Sequence, residues 1–236
     1  DNCQVAVFAT LGSGRFSAPI DCRLFLPEEW VKSRKRCIKA KIPEDQIVFK
    51  TKQEQALEMV FCARKNGVRF KWVGFDSFYG DNPQFLRQLA DNGEVFMGDI
   101  HKDHRIYFEN PKPVVPPPQS NRGKKPTKLR AQTRAIRVDR WIDKQSPGAW
   151  KRIEVRDSTK GKLRVDILHR KVWVWDGKER QARKWHLVVR REIDSQAKRK
   201  YSLSNAPSDT SSKRLAFMQA QRYWVERPFQ DAKNQC

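Results

Sequence analysis

The sequence contains no run of about eighteen apolar residues, so it offers no candidate for a membrane-spanning helix. Its five cysteines are odd in number, scattered and without a Cys-x2-Cys pair, which argues against a disulfide scaffold and indicates reduced thiols. The glycines of Leu11–Arg15 lack the lysine of a phosphate-binding loop, and no nucleophile elbow occurs. His101 and His104 lack the neighbours that a zinc site requires. Carboxylates and cations are left as the chemically informative side chains.

Positive charge is what the sequence has in excess. The formal net charge is +22, and residues 111–200 hold most of it, with 27 Lys and Arg against 9 Asp and Glu, a net +18. Basic charge concentrated in one segment indicates a polyanionic partner such as nucleic acid. A hydrolase of neutral glycans, with Asp76 and Glu226 as acid and base, is an alternative that this charge disfavours.

The first hundred residues alternate strand and helix signals. Thr51 and Glu54 form a capping box that begins an apolar helical pattern. Residues 68–75 and 94–100 are predicted strands with a short helix between them, an order that favours an α/β fold with a partly parallel sheet. Asp76 stands at the carboxyl end of the first of these strands, where open α/β sheets gather functional groups.

The basic middle of the chain has two parts. Residues 111–130 are rich in proline and carry Lys124 and Lys125, which is typical of a linker or an extended arm. Period-two alternation then predicts antiparallel strands, in which Trp173 and Trp175 share one face. These tryptophans either pack within a thin sheet or stack on an unpaired base of bound DNA.

Residues 213–235 form a predicted helix in which Arg222, Glu226 and Lys233 lie near one face. Solvated ion pairing is one explanation of this pattern. The other is a carboxylate that binds metal beside cations that bind phosphate. If folding brings Asp76 and Glu226 together, they form part of a two-metal phosphoryl-transfer site.

Five segments together resemble bacterial insertion-sequence transposases of the DDE class: DNCQVAVFA, PIDCRLFLPEEW, TKQEQALEMV, GVRFKWVGFDSFYGDNPQFL and YWVERPFQDAKNQC. The resemblance runs from residue 1 to about residue 100 and again from about 213 to 236. It implies an α/β, ribonuclease H-like mixed-sheet core that a basic β-rich insertion subdomain interrupts. The implied segments are 1–108 for the first part of the core, 109–204 for the linker and insertion, and 205–236 for the closing helix.

The resemblance also implies DNA cleavage and strand transfer at the ends of a mobile element. Asp76 matches the second family carboxylate and Glu226 the third, which together with a first would bind two Mg²⁺ (or Mn²⁺) ions. Arg222 and Lys233 match basic positions of the family signature Y-x2-R-x3-E-x6-K, and Gln219 stands where that signature has tyrosine. The implied partners are element-end and target DNA and a second subunit on the DNA, with no membrane, in the nucleoid region of a bacterial cytoplasm.

The first aspartate of the family lies upstream of the segment that begins this chain. Asp1 matches the position just before the Asn-Cys-Gln motif and is not that aspartate. The chain is therefore expected to be a fragment with little catalysis of its own. A non-catalytic DNA-binding transposase remnant is the alternative function.

Overall fold

The computed structural model describes residues 4–14, 16–118, 123, 125–158, 161–193 and 198–235. The strands in these residues are β1 (Val5–Ser13), β2 (Phe16–Phe25), β3 (Val73–Phe75), β4 (Phe96–Ile100), β5 (Arg105–Ile106), β6 (Ile136–Arg137), β7 (Lys151–Ser158), β8 (Gly161–Val174), β9 (Arg183–Arg191) and β10 (Arg199–Ser204). The α-helices are α1 (Glu28–Lys32), α2 (Arg34–Lys39), α3 (Lys52–Lys65), α4 (Ser77–Gly80), α5 (Pro83–Asp91), α6 (Val138–Ile142), α7 (Ser212–Gln221) and α8 (Tyr223–Gln235). Among the described residues, no helix is both long and apolar enough to cross a membrane.

The chain divides into two compact units, and one of them contains the described residues up to Lys71 together with those from Gln221 onward. In this unit β1 and β2 form an antiparallel hairpin, and the ring of Phe229 on α8 packs edge-on against Phe8 of β1 with the centroids 4.9 Å apart. The predicted capping box of α3 is confirmed. The Thr51 hydroxyl accepts a bond from the Glu54 N–H at 3.2 Å, and the Glu54 carboxylate accepts one from the Thr51 N–H at 2.7 Å.

The second unit, residues 72–220, is built on a six-stranded sheet in the order β3-β4-β10-β9-β8-β7. Strands β3 and β4 are parallel, whereas the other neighbours are antiparallel. The mixed α/β architecture is consistent with the predicted ribonuclease H-like core, and the antiparallel strands expected from the basic part of the chain are present. The segment limits 1–108, 109–204 and 205–236 stay a prediction.

Helices cover both faces of this sheet. Phe96 and Met97 are neighbours on β4 and therefore point to opposite faces. On one face, the ring of Phe96 packs on that of Phe75 at 5.7 Å between centroids, and Phe75 contacts Phe85 of α5 edge-on at 5.0 Å. On the other face, Met97 packs with Leu215 and Met218 of α7. The buried apolar side chains therefore form two layers, one on each side of the sheet.

Two elements differ from the sequence prediction. The strand expected over 68–75 is shorter, because only Val73–Phe75 has a neighbouring strand to pair with. The single helix expected over 213–235 is two helices that meet at Arg222. The apolar side chains of α7 pack in one compact unit and those of α8 in the other, so the break falls where the packing partners change.

Candidate functional site

Asp76 lies directly after β3, at the carboxyl end of a parallel strand, as predicted. It is the N-cap of α4, and its Oδ1 accepts a hydrogen bond from the Phe78 N–H at 3.0 Å. Within the described residues, Oδ2 has no hydrogen-bond partner, and the side chain is exposed. Burial and the nearby Asp76 charge both raise the pKa of the Tyr79 hydroxyl. The hydrogen bond from Phe78 thus orients Asp76 through Oδ1, whereas Oδ2 stays accessible.

A close backbone contact holds α4 against the sheet. A Cβ atom added to Gly80 would lie 1.9 Å from the carbonyl oxygen of Asp99 on β4. Gly98 on β4 leaves room for the ring of Phe75, because a Cβ at this position would lie 2.0 Å from a ring carbon. These two glycines let the turn that begins at Asp76 sit directly on β4.

Asp81 links two histidines close to this turn. Its carboxylate lies 2.8 Å from Nδ1 of His104 and 2.5 Å from Nδ1 of His101, and it also accepts a bond from the His101 N–H at 2.9 Å. Nε2 of His101 lies 3.3 Å from the hydroxyl of Ser77. Burial opposes ionisation of Asp81, but the bonds from His104 and His101 outweigh it, so the pKa of Asp81 is below its usual value.

Sequence reasoning missed this cluster. In the sequence Asp81 has only the pattern of a helix cap, and the two histidines lack the neighbours that a zinc site requires. The position of the two histidines in the sequence was the signal that could have revealed the cluster. Both histidines follow the end of β4, beside the strand end that carries Asp76, and parallel strands bring such residues together.

A cleft of about 430 Å³ opens beside the cluster, and its walls include both histidines, Arg105, Trp175 and Trp185. Trp175 is half-buried and donates its indole N–H to the carbonyl of Glu179 at 2.7 Å. Trp173 is also half-buried, and Nζ of Lys184 lies 5.7 Å from its ring centroid. The proposed contact of Trp173 and Trp175 with DNA stays a prediction.

The predicted residues of the C-terminal helix belong to the other compact unit. Nη2 of Arg222 lies 3.4 Å from Oε1 of Glu226, and the side chain of Glu226 is 56% exposed. Lys233 is exposed in the last turn of α8, seven residues after Glu226 and near the same helix face. The predicted approach of Glu226 to Asp76 stays a prediction. Lys125 is exposed, and Lys124 lies outside the described residues.

Gln219 stands where the transposase signature has tyrosine, and its side chain is 4% exposed. Its amide donates to the hydroxyl of Ser202 at 2.8 Å, and that hydroxyl donates to Oδ1 of Asp99 at 2.6 Å. Gln219 is thus bonded into the sheet, and a bond from Ser202 engages the carboxylate of Asp99. This pattern favours a structural role for both.

The free oxygen of Asp76 is a hard anionic ligand of the kind that Mg²⁺ and Mn²⁺ prefer. Asp76 therefore fits as one ligand of such an ion. In the described part of the chain, no three His, Cys, Asp or Glu side chains are grouped closely enough to hold a metal ion.

The family described as DDE superfamily endonuclease matches residues 1–162, a span that includes Asp76 and the Asp81 cluster. Enzymes of this superfamily act on DNA and typically use divalent metal ions. No curated protein matches the chain. Because the match covers more than half of the sequence, the chain belongs to the DDE superfamily of endonucleases.

Proposed function

We propose that this protein is a transposase that cleaves DNA at the ends of a mobile element and joins those ends to target DNA. The observation that carries the proposal is the position of Asp76. It lies within the family match, at the carboxyl end of a parallel strand, with one carboxylate oxygen free among the described residues. In-line attack on a phosphodiester is the chemistry that carboxylates in such a position support in two-metal enzymes.

Asp76 and Glu226 are proposed as the carboxylates that bind two divalent ions, Mg²⁺ or Mn²⁺. When bound, such ions stabilise the charge that develops on the phosphate under attack. The Phe78 N–H orients Asp76, and the guanidinium of Arg222 lies 3.4 Å from the carboxylate of Glu226. Arg222 and Lys233 are proposed to contact DNA phosphates, since a guanidinium and an ammonium are the side-chain groups that pair with them.

The basic segment 111–200 is proposed to carry most of the DNA affinity, with Lys124 and Lys125 on the backbone and Trp173 or Trp175 beside an exposed base. Two subunits acting on two element ends form the proposed assembly.

The experiment is a nicking assay on supercoiled plasmid carrying the element ends, with the full-length gene product and Mg²⁺. Asp76→Asn and Glu226→Gln should each reduce nicking by at least about a hundredfold while leaving DNA affinity within about twofold. Glu28→Gln is the matched control, because Glu28 is also a first-turn helix glutamate in an i,i+4 ion pair, at 2.8 Å from Lys32. Its nicking should equal that of wild type. DNA binding without nicking by the wild-type protein would overturn the catalytic proposal in favour of the non-catalytic remnant.

A further inference from the structure

Two arginines and one aspartate lie side by side on β7, β8 and β9. Arg152 is directly opposite Asp166, and Asp166 is directly opposite Arg191, so the three side chains share one face of the sheet. The Asp166 carboxylate accepts bonds from Nε of Arg152 at 3.0 Å and from Nε of Arg191 at 3.3 Å. Only 8% of the Asp166 side chain is exposed. One buried carboxylate therefore holds both guanidiniums.

Arg191 is held from a second side by an aromatic ring. Its guanidinium carbon lies 4.2 Å from the ring centroid of Trp150, which is a cation–π distance. Within the described residues, neither Nη group of Arg191 has a hydrogen-bond partner, and the same is true of Nη1 of Arg152. Arg191 is thus fixed through Nε, and Arg152 is fixed through Nε and, at 3.5 Å, through Nη2. Both guanidiniums keep donors for an external acceptor.

A neighbouring pair on the same strands is held differently. Glu154 is opposite Arg164, two residues along β7 and β8 from the Arg152–Asp166 pair. Arg164 is as exposed as Arg152, at 60%, but its Nε is 3.8 Å from a Glu154 carboxylate that is itself 43% exposed. Arg164 therefore makes only a weak ion pair at the surface.

A guanidinium that is already ordered loses less conformational entropy when it binds a phosphate. Hydrogen bonds from Arg152, opposed by burial, lower the pKa of Asp166, so its carboxylate stays ionised at neutral pH. The arrangement is suited to bind a phosphate. Arg152 and Arg191 keep free donors, the buried Asp166 carboxylate holds both, and the Trp150 ring packs on Arg191.

We propose that Arg152 and Arg191, positioned by Asp166 and Trp150, form a clamp for a backbone phosphate of duplex DNA. This inference rests on the proposed DNA-cleaving function and names a contact within the basic segment. Arg152 and Arg191 would touch the phosphate, whereas Asp166 acts through them as a positioning residue.

The Asp166→Asn variant distinguishes the clamp from simple charge attraction, because the two explanations predict opposite changes in DNA affinity. The variant removes one negative charge, so attraction by net charge alone predicts tighter DNA binding. The clamp predicts weaker binding, because asparagine has one acceptor oxygen for two guanidiniums and lacks the charge that strengthens both bonds. Glu154→Gln removes a negative charge from the same face without touching the clamp. In fluorescence anisotropy with a 20-base-pair duplex and the full-length gene product, we expect Asp166→Asn to raise Kd about tenfold and Glu154→Gln to leave it unchanged or lower.

The exposed arginines provide a second test that does not depend on a buried substitution. Arg152→Lys keeps the charge but loses the planar guanidinium, and we expect its Kd to rise about fivefold while its salt slope stays that of wild type. Arg164→Lys should bind as wild type does. Equal affinities of these two variants, or an Asp166→Asn variant that melts as wild type does and binds DNA at least as tightly, would overturn the clamp alone. A wild-type protein that does not bind duplex DNA would overturn the proposed function with it.

Discussion

Nε2 of His169 lies 2.8 Å from Nδ1 of His186, so one of these two nitrogens donates a proton and the other accepts it. Nε2 of His186 faces the carbonyl oxygens of Ala206 and Pro207 at 3.1 Å, so it must donate, and in a neutral ring Nδ1 then accepts. His169 then donates from Nε2, and its Nδ1 accepts from the hydroxyl of Ser212 at 3.1 Å. With one proton on each ring, every ring nitrogen therefore has a hydrogen-bond partner of the right kind.

The first prediction concerns acid stability. Burial, together with the neighbouring His186, lowers the pKa of His169 from 6.5 to about 4. Between pH 6.5 and pH 4 the unfolded chain therefore binds a proton at this position that the folded chain does not, and stability falls as the pH falls through this window. Melting temperature measured against pH should show a smaller loss in His169→Asn, which has no titrating ring. Parallel curves for the two proteins would exclude this role of His169.

The second prediction concerns the contact that seats the Asp76 turn on the sheet. Gly80→Ala would place its Cβ 1.9 Å from the Asp99 carbonyl oxygen, so backbone must move. We expect a loss of about 1–3 kcal/mol in the free energy of unfolding, measured by urea denaturation. Gly148→Ala is the control, because a Cβ there meets no atom within 4 Å. Equal stabilities of the two variants would show that α4 is free to shift away from β4.

The third prediction concerns the buried chain that contains Gln219. Ser202 is fully buried, and its hydroxyl both accepts from Gln219 and donates to Asp99. Ser202→Ala removes both bonds, and we expect it to cost about 1–3 kcal/mol in urea denaturation. Ser208→Ala, at an exposed position, should stay within about 0.5 kcal/mol of wild type. A Ser202→Ala protein as stable as wild type would mean that Gln219 and Asp99 find other partners.

The parts of the fold that were predictable from the sequence depend on neighbouring residues. The Thr51–Glu54 capping box is complete within four positions, and both of its hydrogen bonds form. Asp76 was placed correctly because a short apolar run ends immediately before it. In each case the residues that determine the local structure lie within one short segment of the sequence.

The parts that were missed depend on residues far apart in the chain. Asp81 meets His101 only because β3 and β4 are parallel neighbours, and the break at Arg222 depends on which residues pack against α7 and α8. The clamp of Arg152, Asp166 and Arg191 depends on strand register, since a slip of one residue would turn its side chains to the opposite face. Sequence pattern alone does not determine register across three strands.

The central proposal is that Asp76 and Glu226, 150 residues apart in the sequence, bind the same pair of metal ions. Iron-mediated backbone cleavage measures this directly, because Fe²⁺ bound in place of Mg²⁺ generates radicals that cut the chain close to the ion. Treatment of the full-length protein with Fe²⁺, ascorbate and peroxide should give cuts near both Asp76 and Glu226, and excess Mg²⁺ should suppress both sets together. Cuts near only one of the two residues, or cuts that Mg²⁺ does not suppress, would contradict the shared metal site.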